Sequence, residues 1–374
     1  MSLFCKQRNG RQQLIENIRQ RLEYCLQFGE LYFDATNFHR ELSSIHFIDK
    51  IITTNWDDYF ERECNAISIV TAEDFAFHNA EGRKVFKLHG SVSNYGSIVA
   101  TNEDYKKCYK NLRDGLMGGY LKTILATKTL VFVGFSFSDF DFNKVYTYLK
   151  REMKDLLPHS YIVSLDKSFK EKVVNENVTF INTDGSFFFE QIRLHLEGVS
   201  WLVPKKNIEA VKDCSYVLSE VHDACAGLFL KNRSVTDIYN LMYQDGMQHA
   251  HAFLLYHSKT GNVFNPTFIK GKMDGYEKLG RAFRNHKNYT DFAYCEGYRY
   301  GLSTIFLEKL ESSYPFLFIM GFGPVSGADE YVRRLKKKKY YHNEAERLGR
   351  RRYRAYLDAE NDVVPHHRAL LFDT

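Results

Sequence analysis

Four short runs rich in β-branched and aromatic residues, Phe47–Thr54, Lys84–Leu88, Thr129–Gly134 and Val178–Asn182, each stop abruptly among Asn, Asp, Ser, His or Gly. Apolar runs of this length bounded by turn residues read as buried strands. Ile67–Val70 and Ser160–Leu165 have the same character. Helical stretches stand between them, at Asp104–Ala126 and Asp141–Lys154. Ahead of the first strand, Leu14, Ile15, Ile18, Leu22 and Leu26 recur at three- and four-residue spacing, and a short helix is predicted at Phe38–Ile45. Strands alternating with helices predict an α/β fold with a mainly parallel sheet, whose ligands bind beyond the carboxyl ends of the strands.

The polar clusters fall at those carboxyl ends. Ile51–Glu61 places Thr54, Asn55, Asp57 and Asp58 at the first strand exit, and Val85–Ser91 places His89 and Gly90 at another. Leu130–Phe142 delivers Gly134, Ser136, Ser138, Asp139 and Asp141, and Val178–Ser186 delivers Asn182 and Asp184. Any one of these clusters is ordinary turn chemistry. Together they offer acceptors for sugar hydroxyls, glycines for close backbone approach and one imidazole, which suits a ligand bearing ribose and phosphate.

The motifs TTNWD, KLHGS, T-x-x-D-Y (Thr101 to Tyr105), FVGFSFSDFDF and the INT strand follow one another in the order seen in bacterial sirtuin-like NAD-binding domains. Over roughly Phe47 to Leu196 the chain resembles these relatives of sirtuin deacetylases, which serve in anti-phage defence. The resemblance implies a Rossmann-like, sirtuin-type parallel sheet and hydrolysis of NAD to nicotinamide and ADP-ribose. It also implies roles for individual residues. Asn55 and Asp57 would hold the nicotinamide riboside end, with Thr54 beside them. His89, followed by Gly90, would contact ribose hydroxyls and assist a nucleophile. Gly134 and Ser136 would receive the adenosine half, and Asn182 the adenosine ribose. Cleaving the bond to a cationic nicotinamide develops oxocarbenium character at the ribose, which a fixed sugar geometry and a placed water accelerate.

Two departures from the family pattern set further expectations. The four-cysteine zinc module of sirtuin deacetylases has no counterpart: seven cysteines are scattered without a C-x-x-C pair. No zinc or other metal is therefore expected, the thiols are expected to be reduced, and water is the expected acceptor. The G-A-G-x-S loop that cradles the NAD pyrophosphate in the family is also missing, since only Gly10 and Gly29 precede Asn55. The expected NAD-binding domain, residues 1–202, thus lacks the family's first strand and glycine loop. An NAD-sensing or assembly subunit with impaired catalysis is the alternative reading.

The polar segment Val203–Asn207 predicts a boundary, with residues 203–374 forming a second α/β or α+β domain for regulation or assembly. Phe253–His257 and Val263–Pro266 flank Lys-Thr-Gly-Asn and predict a hairpin, followed by helices at Asp274–Asn285 and Leu302–Ser312 and a strand at Pro315–Met320. Phe316–Leu335 reads as strand, glycine loop and helix, a pattern shared by dinucleotide fingerprints and ordinary tight connections. His249, His251 and His257 would share one face of an extended first hairpin strand.

The formal net charge is +5, yet 12 Lys/Arg against 6 Asp/Glu lie between Arg333 and Thr374, so the rest of the chain is almost neutral. The basic segment 333–354, with Tyr340, Tyr341 and Tyr353, is either a surface for nucleic acid or an acidic partner, or a solvated pair of charged helices. No apolar run of membrane-spanning length and no secretory signal is present, so a cytoplasmic protein without a membrane contact is expected. The resemblance further implies homo-oligomerisation or control by a companion: a translocase-type ATPase, an Argonaute-like protein or a phage component.

Overall fold

The structure is a computed structural model that describes residues 9–136, 140–169, 177–337 and 340–370. The chain divides into two compact units, Met1–Leu196 and Glu197–Thr374.

In the first unit, helices α1 (Gly10–Gln27), α2 (Gly29–Ala35) and α3 (Asn37–Ser43) precede strand β1 (Lys50–Thr53). Helix α4 (Tyr59–Cys64) leads to β2 (Ile67–Ile69), and β3 (Lys84–Lys87) inserts between the two, giving a parallel sheet in the order β1-β3-β2. Helices α5 (Asn102–Asp114) and α6 (Leu116–Thr127) then cross to β4 (Leu130–Val133), α7 (Phe140–Met153) to β5 (Ser160–Val163), and β6 (Val178–Ile181) precedes α8 (Gly185–Gly198). Strands β4, β5 and β6 form a second parallel sheet in that order.

Every strand predicted in this half is present, within one to three residues at its ends, because parallel strands covered on both faces read as uninterrupted apolar runs. The predicted helix Asp104–Ala126 is two helices broken at Gly115. Leu88, Leu112, Leu121, Leu125 and Tyr146 are buried, and Ile52 from β1 packs on the same cluster as Leu130 and Phe132 from β4. One apolar layer thus serves both three-stranded sheets, in a Rossmann-like α/β arrangement. The buried Arg83 guanidinium donates to the carbonyls of Ile45 at 2.9 Å and Ile48 at 2.8 Å, taking up acceptors left open where α3 ends.

Among its described residues, the second unit is helical apart from one hairpin. Helices α9 (Asn207–Asn232), α10 (Val235–Tyr256), α11 (Pro266–Asn285) and α12 (Tyr289–Ser303) precede an antiparallel pair, β7 (Leu317–Ile319) and β8 (Gly323–Val325). Helices α13 (Ala328–Leu335), α14 (Tyr340–Arg352) and α15 (Arg354–Leu357) follow. Helix α10 is the centre, buried on nearly all sides from Val235 to Met247. Its polar residues pair with the backbone leading into and forming β7. Asn240 Oδ1 accepts the Phe318 N–H at 2.8 Å, Gln244 Nε2 donates to the Phe316 carbonyl at 3.1 Å, and the Tyr243 hydroxyl donates to Pro315 O at 2.8 Å. A strand edge that would otherwise be buried unpaired is satisfied from the helix.

Three sequence expectations are corrected here. The hairpin at Phe253–Pro266 is instead the end of α10, followed by 3-10 turns pivoting on the left-handed Gly261. The helix at Leu302–Ser312 is the last turn of α12 and a 3-10 turn at Thr304–Phe306. The segment Phe316–Leu335 is a hairpin followed by a helix, with Gly321 in its turn and Gly323 at the start of β8 at φ 86° and 82°, so it lacks the open strand-loop-helix geometry of a dinucleotide fingerprint. Among the described residues, no helix is long and apolar enough to cross a membrane.

The half-buried His39 and the fully buried His251 are expected to make the protein acid-sensitive. Burial pushes His39 down to about 4, with Glu63 pulling upward and Arg40 downward, and burial takes His251 to about 4. A histidine depressed in the folded state binds its proton first in the unfolded chain, near pH 6.5. Stability is therefore present above that pH and is lost as pH falls toward 4, by about 3 kcal/mol for each group. Urea unfolding between pH 7.5 and 4.5 is expected to show this loss. His251→Gln is expected to flatten the part of the slope that belongs to the second unit.

Candidate active site

The candidate residues leave the sheets in two groups. At the first, β1 and β3 run in register, with Thr53 opposite Lys87. The ladder continues past both strands: Leu88 N donates to Thr53 O at 2.9 Å and Val92 N to Trp56 O at 2.9 Å. Thr54, Asn55 and Asp57 are thereby zipped to His89 and Gly90. Asn55 is exposed, and its N–H donates to the Thr53 hydroxyl at 3.1 Å, which turns the chain out of the strand. The Asp57 carboxylate accepts the Tyr59 N–H at 3.3 Å. Burial pushes the Asp57 carboxyl above the ordinary range, against the opposing pull of the Tyr59 N–H and the Lys87 charge.

Lys87 holds this group together. Its side chain is fully buried, and its ammonium donates to the Asp57 carbonyl, to Glu61 Oε1 at 2.9 Å and to Ser91 Oγ at 3.0 Å. One amine thus links the loop after β1, helix α4 and the loop after β3. Sequence reasoning missed it, since a lysine in a strand reads as a solvent-facing residue; its place in the KLHGS motif was the available signal. Lys87→Met would leave Glu61 without its partner. Breaking a fully buried pair costs about 3–5 kcal/mol, and the partial exposure of Glu61 lowers the expected loss to about 2–3 kcal/mol. Urea denaturation of the variant measures it.

His89 is buried, and its ring meets that of Tyr105 edge-on at 5.2 Å. Its carbonyl accepts the Val99 N–H at 2.9 Å. Gly90 then turns with φ 87°, where an added Cβ would lie 2.2 Å from the Ser97 carbonyl oxygen, so only glycine fits. The T-x-x-D-Y motif explains itself structurally: Thr101 and Asp104 form a capping box at the start of α5, which sets Tyr105 against His89. Burial works against ionisation of Asp104. Arg11, which donates to its carboxylate at 2.7 Å, and the N–H groups of Ala100 and Thr101 outweigh it and hold the carboxyl at about 2.

The second group lies at the ends of β4, β5 and β6. Gly134 N donates to Val163 O at 3.2 Å, Ser164 N to Ile181 O at 3.2 Å, and Asn182 Nδ2 to Ser164 O at 3.0 Å. Gly134 has φ 60° and open space around it, and Ser136 and Asn182 are exposed. Asp184 belongs to the scaffold, accepting the Phe187 N–H at 3.0 Å at the start of α8. Ser138 and Asp139, and the side chain of Asp141, lie outside what the structure describes.

In the second unit the three predicted neighbours His249, His251 and His257 do not meet. On a helix, positions two apart point to different sides. His249 bonds the Tyr294 hydroxyl at 3.1 Å, while His251 bonds the Thr304 hydroxyl at 3.0 Å in the core.

A domain with polar loops at the carboxyl ends of parallel strands, an N-x-D turn and a buried histidine before an obligatory glycine has its counterpart among known families. Residues 49–182 match the model of the SIR2-like domain. The chain is 23% identical over 250 residues to defense-associated sirtuin 2 of Bacillus subtilis, covering 62% of this chain and 23% of that protein. It is 28% identical over 186 residues to the NAD(+) hydrolase ThsA of Enterococcus faecium, covering 46% of this chain and 34% of that one. ThsA of Cytobacillus dafuensis is 26% identical over 149 residues, 38% of this chain and 28% of its own length. The matches thus span between 23% and 34% of the length of these relatives.

Proposed function

We propose that this chain is a sirtuin-like NAD hydrolase of anti-phage defence, cleaving NAD to nicotinamide and ADP-ribose. The observation that carries the reading is the lysine-centred knot that ties the loop bearing Asn55 and Asp57 to the loop bearing His89, at strand exits within the stretch that matches the SIR2-like domain. In this reading Asn55 and Asp57, with Thr54 beside them, hold the nicotinamide riboside. Gly90 lets the backbone approach the sugar, and Gly134, Ser136 and Asn182 receive the adenosine half.

The N-glycosidic bond breaks with its electron pair passing to the nicotinamide nitrogen, which becomes neutral. Water adds to the ribose carbon, and His89 takes the water's proton before releasing it to solvent. Neither a metal nor a second cosubstrate is required by this balance. In this reading the protein works in the cytoplasm, and the second unit serves regulation or self-assembly. Companion proteins, or nucleic acid, would be met through the basic segment 333–354.

A second reading has its own support. Helices α1–α3, within residues 10–43, stand directly before β1, where the family pattern has a strand and a glycine loop. An NAD-sensing or assembly subunit would keep the pocket without turnover. Chromatographic detection of nicotinamide from NAD separates the two. Release that disappears in Asn55→Ala supports the hydrolase, and saturable binding with NAD recovered intact supports the sensor.

A further inference from the structure

The second unit holds a cluster that the NAD chemistry does not use. His222 on α9, Asp245 on α10 and His366 in the segment after α15 come from three separate stretches of chain. His222 Nε2 lies 3.2 Å from Asp245 Oδ1, and His366 Nδ1 lies 3.3 Å from the same oxygen. One ligand atom from each of the three residues lies within 4.8 Å of the other two. Ligands bound tetrahedrally at about 2.0–2.1 Å from a zinc ion sit about 3.3 Å apart, so two edges of the ligand triangle already have the spacing a metal imposes.

The surroundings are those of a built site. The His222 and Asp245 side chains are 8% and 5% exposed, while that of His366 is 57% exposed and leaves the fourth side open to water. The second carboxylate oxygen of Asp245 is held by the His367 N–H at 2.6 Å, which fixes the orientation of the first. His367 is itself anchored, Nε2 lying 3.0 Å from Asp291 Oδ1, and Asp291 accepts from Asn288 at 2.6 Å. Such an outer shell is what keeps metal ligands in place. The two candidate imidazoles stack at 5.4 Å with their planes 16° apart, which limits how far His366 can swing away.

We propose that His222 Nε2, Asp245 Oδ1 and His366 Nδ1 form a three-ligand site for a zinc-type divalent cation, with water in the fourth position. Two nitrogens and one carboxylate oxygen in a compact triangle suit zinc, and exclude the all-oxygen cages preferred by calcium and magnesium. This site is unrelated to the four-cysteine module whose absence led the sequence to predict no zinc. Its consequence is mechanical. Because His366 lies beyond the last helix, an ion here would clasp the C-terminal segment onto α9 and α10, where Arg233 already holds it through the carbonyls of Tyr356 and Asn361 at 3.2 and 2.6 Å.

The full chain, stripped with chelator and titrated with zinc chloride against a chromophoric zinc indicator, is expected to take up one ion per chain. His366→Ala removes an exposed ligand and keeps the fold, and is expected to weaken binding by at least 10-fold. Asp245→Asn tests the buried corner. Cobalt substitution supplies a second readout, an intense tetrahedral visible spectrum in the wild type that His366→Ala abolishes. Absence of saturable binding, or equal uptake by wild type and both variants, would overturn the proposal.

Discussion

His89→Ala is expected to lower nicotinamide release from NAD by about a thousandfold, within the 10²–10⁴ range that a positioned acid–base group supplies. The loss should fall on kcat, with KM moving little, because the remaining contacts to NAD come from other loops. The imidazole is buried beside Tyr105 at the mouth of a loop whose backbone is fixed by Gly90 and by the Val99 N–H. Truncating the ring therefore leaves the loop standing, and the thermal midpoint should fall only slightly. Turnover retained in His89→Ala, with the protein folded, would remove the residue from the proposed role.

Gly297→Ala is expected to be the most damaging single methyl in the second unit. Helices α10 and α12 cross backbone to backbone, and a Cβ on Gly297 would sit 1.8 Å from the Tyr243 carbonyl oxygen. The reciprocal contact is as close, a Cβ on Gly246 lying 2.2 Å from the Tyr294 carbonyl oxygen. Neither obstacle is a flexible side chain, so the helices must separate. Overpacking of a tight core costs about 1–3 kcal/mol, and a clash with rigid backbone belongs at or above the top of that range. For a unit of this size, the midpoint should drop by roughly 6–12 °C per 3 kcal/mol. Differential scanning calorimetry of the full chain would read it, and an unchanged midpoint would mean that the helices do not cross so closely.

The strand exits were legible in the sequence because parallel strands buried on both faces show as apolar runs, and because Asn, His and Gly interrupt those runs where the chain leaves the sheet. The helices of the second unit were harder. Helix α10 carries Asn240, Gln244 and His251 inside the core, where Phe318 of β7, Phe316 just before it and Thr304 supply their partners, so its apolar period is broken and its end resembles a hairpin in sequence. Lys87 is hard to read for a related reason: its partners Asp57, Glu61 and Ser91 are assembled by folding, and only its place in the KLHGS motif marks it. The cluster of His222, Asp245 and His366 has no short-range spacing at all, since 121 residues separate two of its members.

Isothermal titration of the full chain with NAD tests most directly whether the two groups of strand-end residues form one nucleotide site. Saturable binding with one NAD per chain, displaced by ADP-ribose and weakened at least tenfold by Asn55→Ala and by Asn182→Ala separately, is the expected result. No saturable binding, or binding that neither variant alters, would contradict it.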